Sequence, residues 1–378
     1  MAEKFWLYSH NFTHSGAPLV LAAIARELAD SGWRKQLRVI SWGGLHDRRH
    51  SSLHKELLKE GIVCDVLEPY QPPPKLHKGD RLLLNSLALP EHVIKQALDW
   101  LDQDKLFRLY WYAHESSPEV FFWQKDWPKR FNQLLRNGSL QLRVPSLHTL
   151  NAYRQWLGFD GESLAVQNPI LKIAPHLNLK SSNDFSEIKL QLTGAVGAGQ
   201  KGHLWLLKLL ETVLIQAPIS TSGLRSISLQ FIGIETGAYA ALARQVCRQA
   251  SELLGDRFSW AEQGSRDQSL GFMAKSNVAV SCSSAETFSL VSLEAMALGQ
   301  PILRNRTGGW HEQLTEEKNG FDLGHPSPLV TPGQVALIQR MRDPSLISQS
   351  MFEQMSECSL AHSKQLMSQS MISWLELE

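Results

Sequence analysis

Short apolar strands alternate with helices twice over along this chain, and a polar, unpatterned stretch separates the two runs. In the first run, apolar strands are expected at 5–8, 37–41, 63–67, 81–85, 107–112 and 140–144. Helical spacing lies between them, at 18–29, 54–59 and 92–101. The first of these helices carries Leu19, Ala22, Ala23, Ala25, Leu28 and Ala29 on its spacing, with Pro18 in its first turn. The second run repeats the order, with strands at 188–193, 226–232, 258–260, 278–281 and 301–304 and a helix at 203–213. Alternation of this kind builds a parallel sheet covered by helices on both faces. The fold class is therefore α/β, with two Rossmann-like parallel-sheet domains at 1–174 and 187–351, joined by a linker at 175–186. At 378 residues the chain is long enough for two cores. Ligands of such sheets sit beyond the carboxyl ends of the strands.

Composition removes several classes of function. A net charge of +1 and a pI near 7.8 give no global attraction for nucleic acid. Cys64, Cys247, Cys282 and Cys358 are scattered without paired spacing, which argues against a disulfide framework and a zinc site. The first ten residues carry no apolar run of a signal peptide, and no stretch reaches the length of a transmembrane span. A cytoplasmic protein is expected; peripheral membrane contact and oligomeric state stay open. The twelve tryptophans are dispersed and read as core or cleft residues.

The most informative stretch is 285–301, Ala-Glu-Thr-Phe-Ser-Leu-Val-Ser-Leu-Glu-Ala-Met-Ala-Leu-Gly-Gln-Pro. Ser289 is a good N-cap, Gly299 a good residue to follow a helix end, and Pro301 cannot continue the helix. Glu286 and Glu294 stand eight positions apart, which in a helix is about 12 Å. Two carboxylates at that distance cannot serve one reacting atom. They suit an elongated ligand gripped at two places, with an anionic middle facing the N–H groups at the helix start. A nucleoside diphosphate sugar has that shape. Upstream, the turn Gly194-Ala195-Val196-Gly197-Ala198-Gly199-Gln200-Lys201-Gly202 lies between a strand and a helix, where N–H groups at Gly197 and Gly199 can meet a phosphate. Its glycine spacing is neither GxGxxG nor the P-loop pattern, so a dehydrogenase or a kinase fits poorly.

The segment 285–301, followed by Gly308-Gly309-Trp310-His311-Glu312, resembles the signature of the family 4 glycosyltransferases, and the turn ending in Lys201-Gly202 is similar to the one that opens their donor domain. The resemblance implies a GT-B architecture, with the two domains facing a cleft and a last helical stretch, about 352–378, packing back on the first domain. It implies a retaining hexosyltransferase that takes a nucleotide diphosphate sugar as donor and a hydroxyl acceptor, needing no further cofactor. Lys201 then neutralises the diphosphate, Glu286 meets the hydroxyls of the transferred sugar and Glu294 those of the ribose. The N–H groups of Phe288, Ser289 and Leu290 face sugar and phosphates, and His114, at the end of the strand before Glu115-Ser116, contacts the sugar. Gly16, in the loop 9–18, lets the backbone approach a ligand closely. Asn85-Ser86 and Pro145-Ser146 line the acceptor side. Base contacts fall to the turn after Ile232-Gly233 and to the region 262–266.

Two positions depart from the family pattern. Ala195 stands where many members have an arginine, so the diphosphate must lean on Lys201 or borrow Arg266 or another residue. Ser289 stands where many have glycine, and its hydroxyl is expected to crowd or hydrogen-bond the sugar. A binding protein that has lost transfer and a nucleotide-sugar epimerase remain as alternatives. The pairs His10/His14 and His46/His50 have a spacing of four, but the first lies in a loop and the second has no clear carboxylate partner, and no metal is expected. Gln71-Pro72-Pro73-Pro74-Lys75 reads as a stiff surface loop.

Overall fold

The structure, a computed structural model, describes residues 3–377 apart from 14, 104–105, 107, 122–126, 171–172, 174–183, 234–238 and 263–264; of 46, 49 and 50 it describes the backbone alone. The expectations placed on His14, Phe107, most of the linker 175–186, the turn after Gly233 and the side chains of His46 and His50 lie outside the described residues. The chain divides into two compact units, Met1–Lys172 with Gln369–Glu378, and Ile173–Ser368.

The first unit is built on seven parallel strands: β1 (Phe5–Ser9), β2 (Leu37–Ser41), β3 (Val63–Val66), β4 (Arg81–Asn85), β5 (Leu109–Tyr112), β6 (Leu140–Val144) and β7 (Leu164–Val166). Their order in the sheet is β3-β2-β1-β4-β5-β6-β7. Central strands are covered on both faces and read as unbroken apolar runs: every residue of β1 and β5 is buried. The edge strand β3 instead alternates exposed and buried positions. The second unit repeats the plan with six parallel strands: β8 (Glu187–Thr193), β9 (Ser226–Ile232), β10 (Phe258–Ala261), β11 (Val278–Ser281), β12 (Ile302–Arg304) and β13 (Gly320–Asp322), in the order β10-β9-β8-β11-β12-β13. Strand order reverses at β1/β4 in one sheet and at β8/β11 in the other. These reversals are the switch points where loops from adjacent strands diverge and leave room for a ligand.

Several elements differ from the sequence expectation. β7 and β13, three residues each, are too short to show a period. The expected terminal helix runs only over Gln349–Met367 and belongs to the second unit, where it packs against the helix Leu290–Ala297. Residues 369–377 are non-helical and return to the first unit. There Glu27 accepts from Ser370 Oγ and from the Met371 N–H at 3.0 Å. Trp374 lies edge-on to Tyr110, with ring centroids 5.6 Å apart, and under the Arg143 guanidinium at 5.1 Å. No described helix is long and apolar enough to cross a membrane.

Candidate active site

In the second unit the loops 194–202 and 282–289 leave the carboxyl ends of β8 and β11, which are neighbours in the sheet. The second loop ends in the helix Leu290–Ala297. Its N-cap is Ser289, whose Oγ accepts from the Ser292 N–H at 3.2 Å and from Ser292 Oγ at 3.0 Å. Cap bonding therefore uses the acceptor side of the Ser289 hydroxyl, and the residue is 3% exposed. Gln313 Nε2 donates to the Ser289 carbonyl at 2.8 Å, and Asn305 Nδ2 to the Ser283 carbonyl at 2.7 Å. Gly308 closes the stitching. Its φ is +53°, and a Cβ there would stand 2.2 Å from the Glu286 carbonyl oxygen, so the loop that carries Glu286 rests directly on this glycine. From behind, the helix Gln349–Met367 braces the same region: Ser356 Oγ donates to the Gly299 carbonyl and Ser359 Oγ to that of Asn319 at 3.0 Å.

Two ion pairs flank the helix start. Lys201 Nζ lies 2.7 Å from Glu286 Oε1, and Arg266 Nε lies 2.6 Å from Glu294 Oε1. Both pairs are largely shielded, with side-chain exposures of 28% and 16% in the first and 20% and 10% in the second. Arg266, expected as a spare cation, is thus already engaged by the carboxylate assigned to the ribose. A third cation was missed by sequence reasoning. Arg304, the last residue of β12, is fully buried. Its Nη2 donates to the Thr307 carbonyl at 3.0 Å, while Nε and Nη1 have no hydrogen-bond partner among the described residues. Burial lowers its pKa to about 10, partly offset by the carboxylates of Glu286 and Glu312. A charged residue ending the apolar run Pro301-Ile302-Leu303 was the signal that could have found it.

The remaining expected residues divide between backbone and side-chain roles. Phe288 is buried in the core with Ile232, Leu293 and Met296, so only its backbone faces outward, and Leu290 opens the helix. Gly197 has φ +85°, and a Cβ there would meet the Ala243 N–H at 2.7 Å. The helix Ala240–Leu254 packs on it, so this glycine is required by close approach of backbone. Gly199, by contrast, starts the short turn Gly199–Lys201 with open space where its Cβ would be. A cavity of about 380 Å³ is lined by Gly197, Gly199, Trp205, Asn305 and His325 among others, and neither ion pair lines it.

In the first unit, Gly16 is the first residue of the helix Gly16–Leu28. His114 follows β5 and is half-buried, its Nε2 lying 2.8 Å from Asn85 Oδ1 at the end of β4. Burial, and to a smaller degree His10, push the His114 pKa down to about 3. Ser146 is consumed as the N-cap of the helix Leu147–Leu157. Asp47, also missed, is 1% exposed and pins the loop after β1 by accepting from the Phe12 N–H at 2.6 Å and Ser41 Oγ at 2.8 Å. Among the described residues no group of three or more His, Cys, Asp or Glu side chains is placed to hold a metal ion.

Two doubly wound parallel sheets, each with its own switch point, give the chain the GT-B fold of glycosyltransferases. Residues 195–328, which hold both ion pairs, match the family model described as glycosyl transferases group 1. Among solved structures, HepE of Anabaena in complex with UDP and glucose superimposes with a TM-score of 0.69 at 17% identity, covering 97% of this chain and 96% of that one. Sucrose-phosphate synthase of Thermosynechococcus elongatus gives 0.65 at 16% identity, covering 97% and 95%. WaaG, a glycosyltransferase involved in lipopolysaccharide biosynthesis, gives 0.59 at 14%, covering 95% of each chain. No curated protein sequence matches the chain.

Proposed function

We propose that the protein is a retaining glycosyltransferase of the family 4 type, moving a hexose from a nucleotide diphosphate sugar to an acceptor hydroxyl. The observation that carries this reading is the spacing of the pairs Lys201–Glu286 and Arg266–Glu294 about the start of the helix Leu290–Ala297. Carboxylates accept from sugar and ribose hydroxyls at either end, and the uncapped N–H groups between them meet the diphosphate. The group 1 match over 195–328 and the UDP found in HepE support it. In this reading the second unit holds the donor, the first serves the acceptor, and His114 contacts the sugar.

The chemistry asked of the site is stabilisation of the negative charge that grows on the leaving diphosphate. Lys201, the N–H groups of 288–290 and the positive end of the helix supply it. No carboxylate is assigned as a nucleophile, so retention proceeds by attack on the face the leaving group vacates. A thermal-shift screen against UDP, GDP, ADP and their sugar conjugates tests the donor half of the reading. Selective stabilisation lost in Glu294→Ala is the expected result; stabilisation unchanged in that variant refutes the assignment. For transfer itself, Lys201→Ala should reduce kcat/KM by about 2–4 kcal/mol of transition-state stabilisation. Ala195 favours one second reading, donor binding without transfer, in which that screen succeeds and no acceptor is glycosylated.

A further inference from the structure

The cavity of about 380 Å³ lies wholly within the second unit and has the size of a small-molecule site. The first turn of the helix His203–Gln216 forms part of its wall, through His203, Leu204 and Trp205. Leu242 and Val246, on the helix Ala240–Leu254, add aliphatic surface, and Pro326 and Pro328 add more from the loop after β13. Lys201, Glu286, Arg266 and Glu294 are not among its lining residues, so the cavity is not the place where the two ion pairs meet a ligand.

Charge in this lining has one sign. None of the described lining residues is an aspartate or a glutamate, although the chain carries 37 of them. Lys208 lines the cavity, is exposed, and forms no ion pair among the described residues. A helical side chain leans back over the preceding turn, which carries the Lys208 ammonium toward the helix start. That start is itself electropositive. Gly202 provides no side-chain cap and the first turn holds no acidic residue, so nothing there offsets the positive end of the helix. Two lining residues also leave buried polar atoms unsatisfied. His203, 2% exposed, has no hydrogen-bond partner on either ring nitrogen among the described residues, and Trp205 has none on Nε1. Such atoms are costly to bury, and an oxygen of a bound molecule relieves that cost.

We infer that this cavity is a second ligand site, separate from the one at the ion pairs, and that it takes a small amphiphilic anion. A flat apolar body lies against Trp205 and the aliphatic wall, and a phosphate or carboxylate head meets Lys208 and the start of the helix. The inference does not depend on the glycosyltransferase reading.

Titration calorimetry on the whole chain tests it, with 1-naphthyl phosphate and 1-naphthoate as probes that share a ring and differ in head group. Inorganic phosphate and 1-naphthol each supply one half of the design. One saturable site is expected for at least one probe, about tenfold or more tighter than for either half, and the tighter probe identifies the preferred head group. No saturable binding, or a half that binds as tightly as the whole, overturns the inference. Lys208→Glu reverses the charge at an exposed position and should weaken the probe by about tenfold or more, with 1-naphthol unaffected. Trp205→Ala should weaken the probe and 1-naphthol alike. Wild-type affinity in both variants overturns the placement. Lys201→Met and Glu294→Ala, which lie outside the cavity, should stay within about twofold of the wild type. Loss of probe binding in those two variants would put the probe at the ion pairs and overturn the inference, whether or not the protein transfers a sugar.

Discussion

Replacing Glu286 by glutamine should tighten the binding of a nucleoside diphosphate even as it slows sugar transfer. In the free protein Lys201 Nζ rests 2.7 Å from Glu286 Oε1, so an incoming diphosphate competes with that carboxylate for the cation. At this separation the bare attraction is roughly 1.5 kcal/mol in a water-like dielectric and roughly 6 at an effective value of 20. Exposures of 28% and 16% and the cost of desolvating both groups leave a net worth of about 1–2 kcal/mol. Glu286→Gln keeps the side-chain shape and releases the lysine. The dissociation constant for UDP, GDP or ADP, whichever binds, should therefore fall by about 5–30-fold in titration calorimetry at low salt. A double-mutant cycle with Lys201→Met separates causes. If the gain comes from releasing the lysine, it vanishes in the Lys201→Met background. A gain of the same size there would mean only that Glu286 repels the ligand, and unchanged or weaker binding in the single variant would refute the competition altogether.

Three further outcomes are expected. Gly308→Ala, with its Cβ forced to 2.2 Å from the Glu286 carbonyl oxygen at φ +53°, should lose about 2–4 kcal/mol in urea unfolding and most of its transfer activity. His203 is 2% exposed, and burial lowers its pKa to about 4. It is neutral in the fold and charged in the unfolded chain below pH 6.5, so stability falls as pH drops from about 6.5 to 4 and the loss levels off below. His203→Gln should flatten that fall by at most about 3 kcal/mol in denaturation measured from pH 7.5 down to 4. Trp374→Ala, which removes a buried ring from Tyr110 and Arg143, should destabilise the first unit by about 3–5 kcal/mol, seen as an earlier unfolding step.

Much of the local structure was legible because it is set by near neighbours. The helix Leu290–Ala297 lies where Ser289, Gly299 and Pro301 punctuate the chain, and Ser289 does cap it. The central strands stood out as apolar runs because parallel strands are buried on both faces. Short edge elements such as β7 and β13 did not, since three residues carry no period. Arg304 was passed over because a charge in an apolar run marks a buried cation only once the strand's neighbours are known. Asp47 went unread, and Asn85 was read only as an acceptor-side residue, for the same reason: what each holds, the Phe12 N–H 35 positions away and the His114 ring 29 away, is visible only in three dimensions.

The sequence alone therefore determined the α/β class, the two-run plan and the chemical kinds of residue at each loop. Period, capping and turn chemistry are local and need no fold to act. The tertiary structure decided which of those residues meet. Lys201 and Glu286 are 85 positions apart and pair because β8 and β11 lie side by side at the switch point; Arg266, after β10, and Glu294, after β11, are 28 apart and are likewise brought together only by the fold. Burial, also a property of the whole fold, then shifts the charges: it lowers the pKa of Arg304 to about 10 against the pull of Glu286 and Glu312, and it lowers that of His114 to about 3 beside the Asn85 amide.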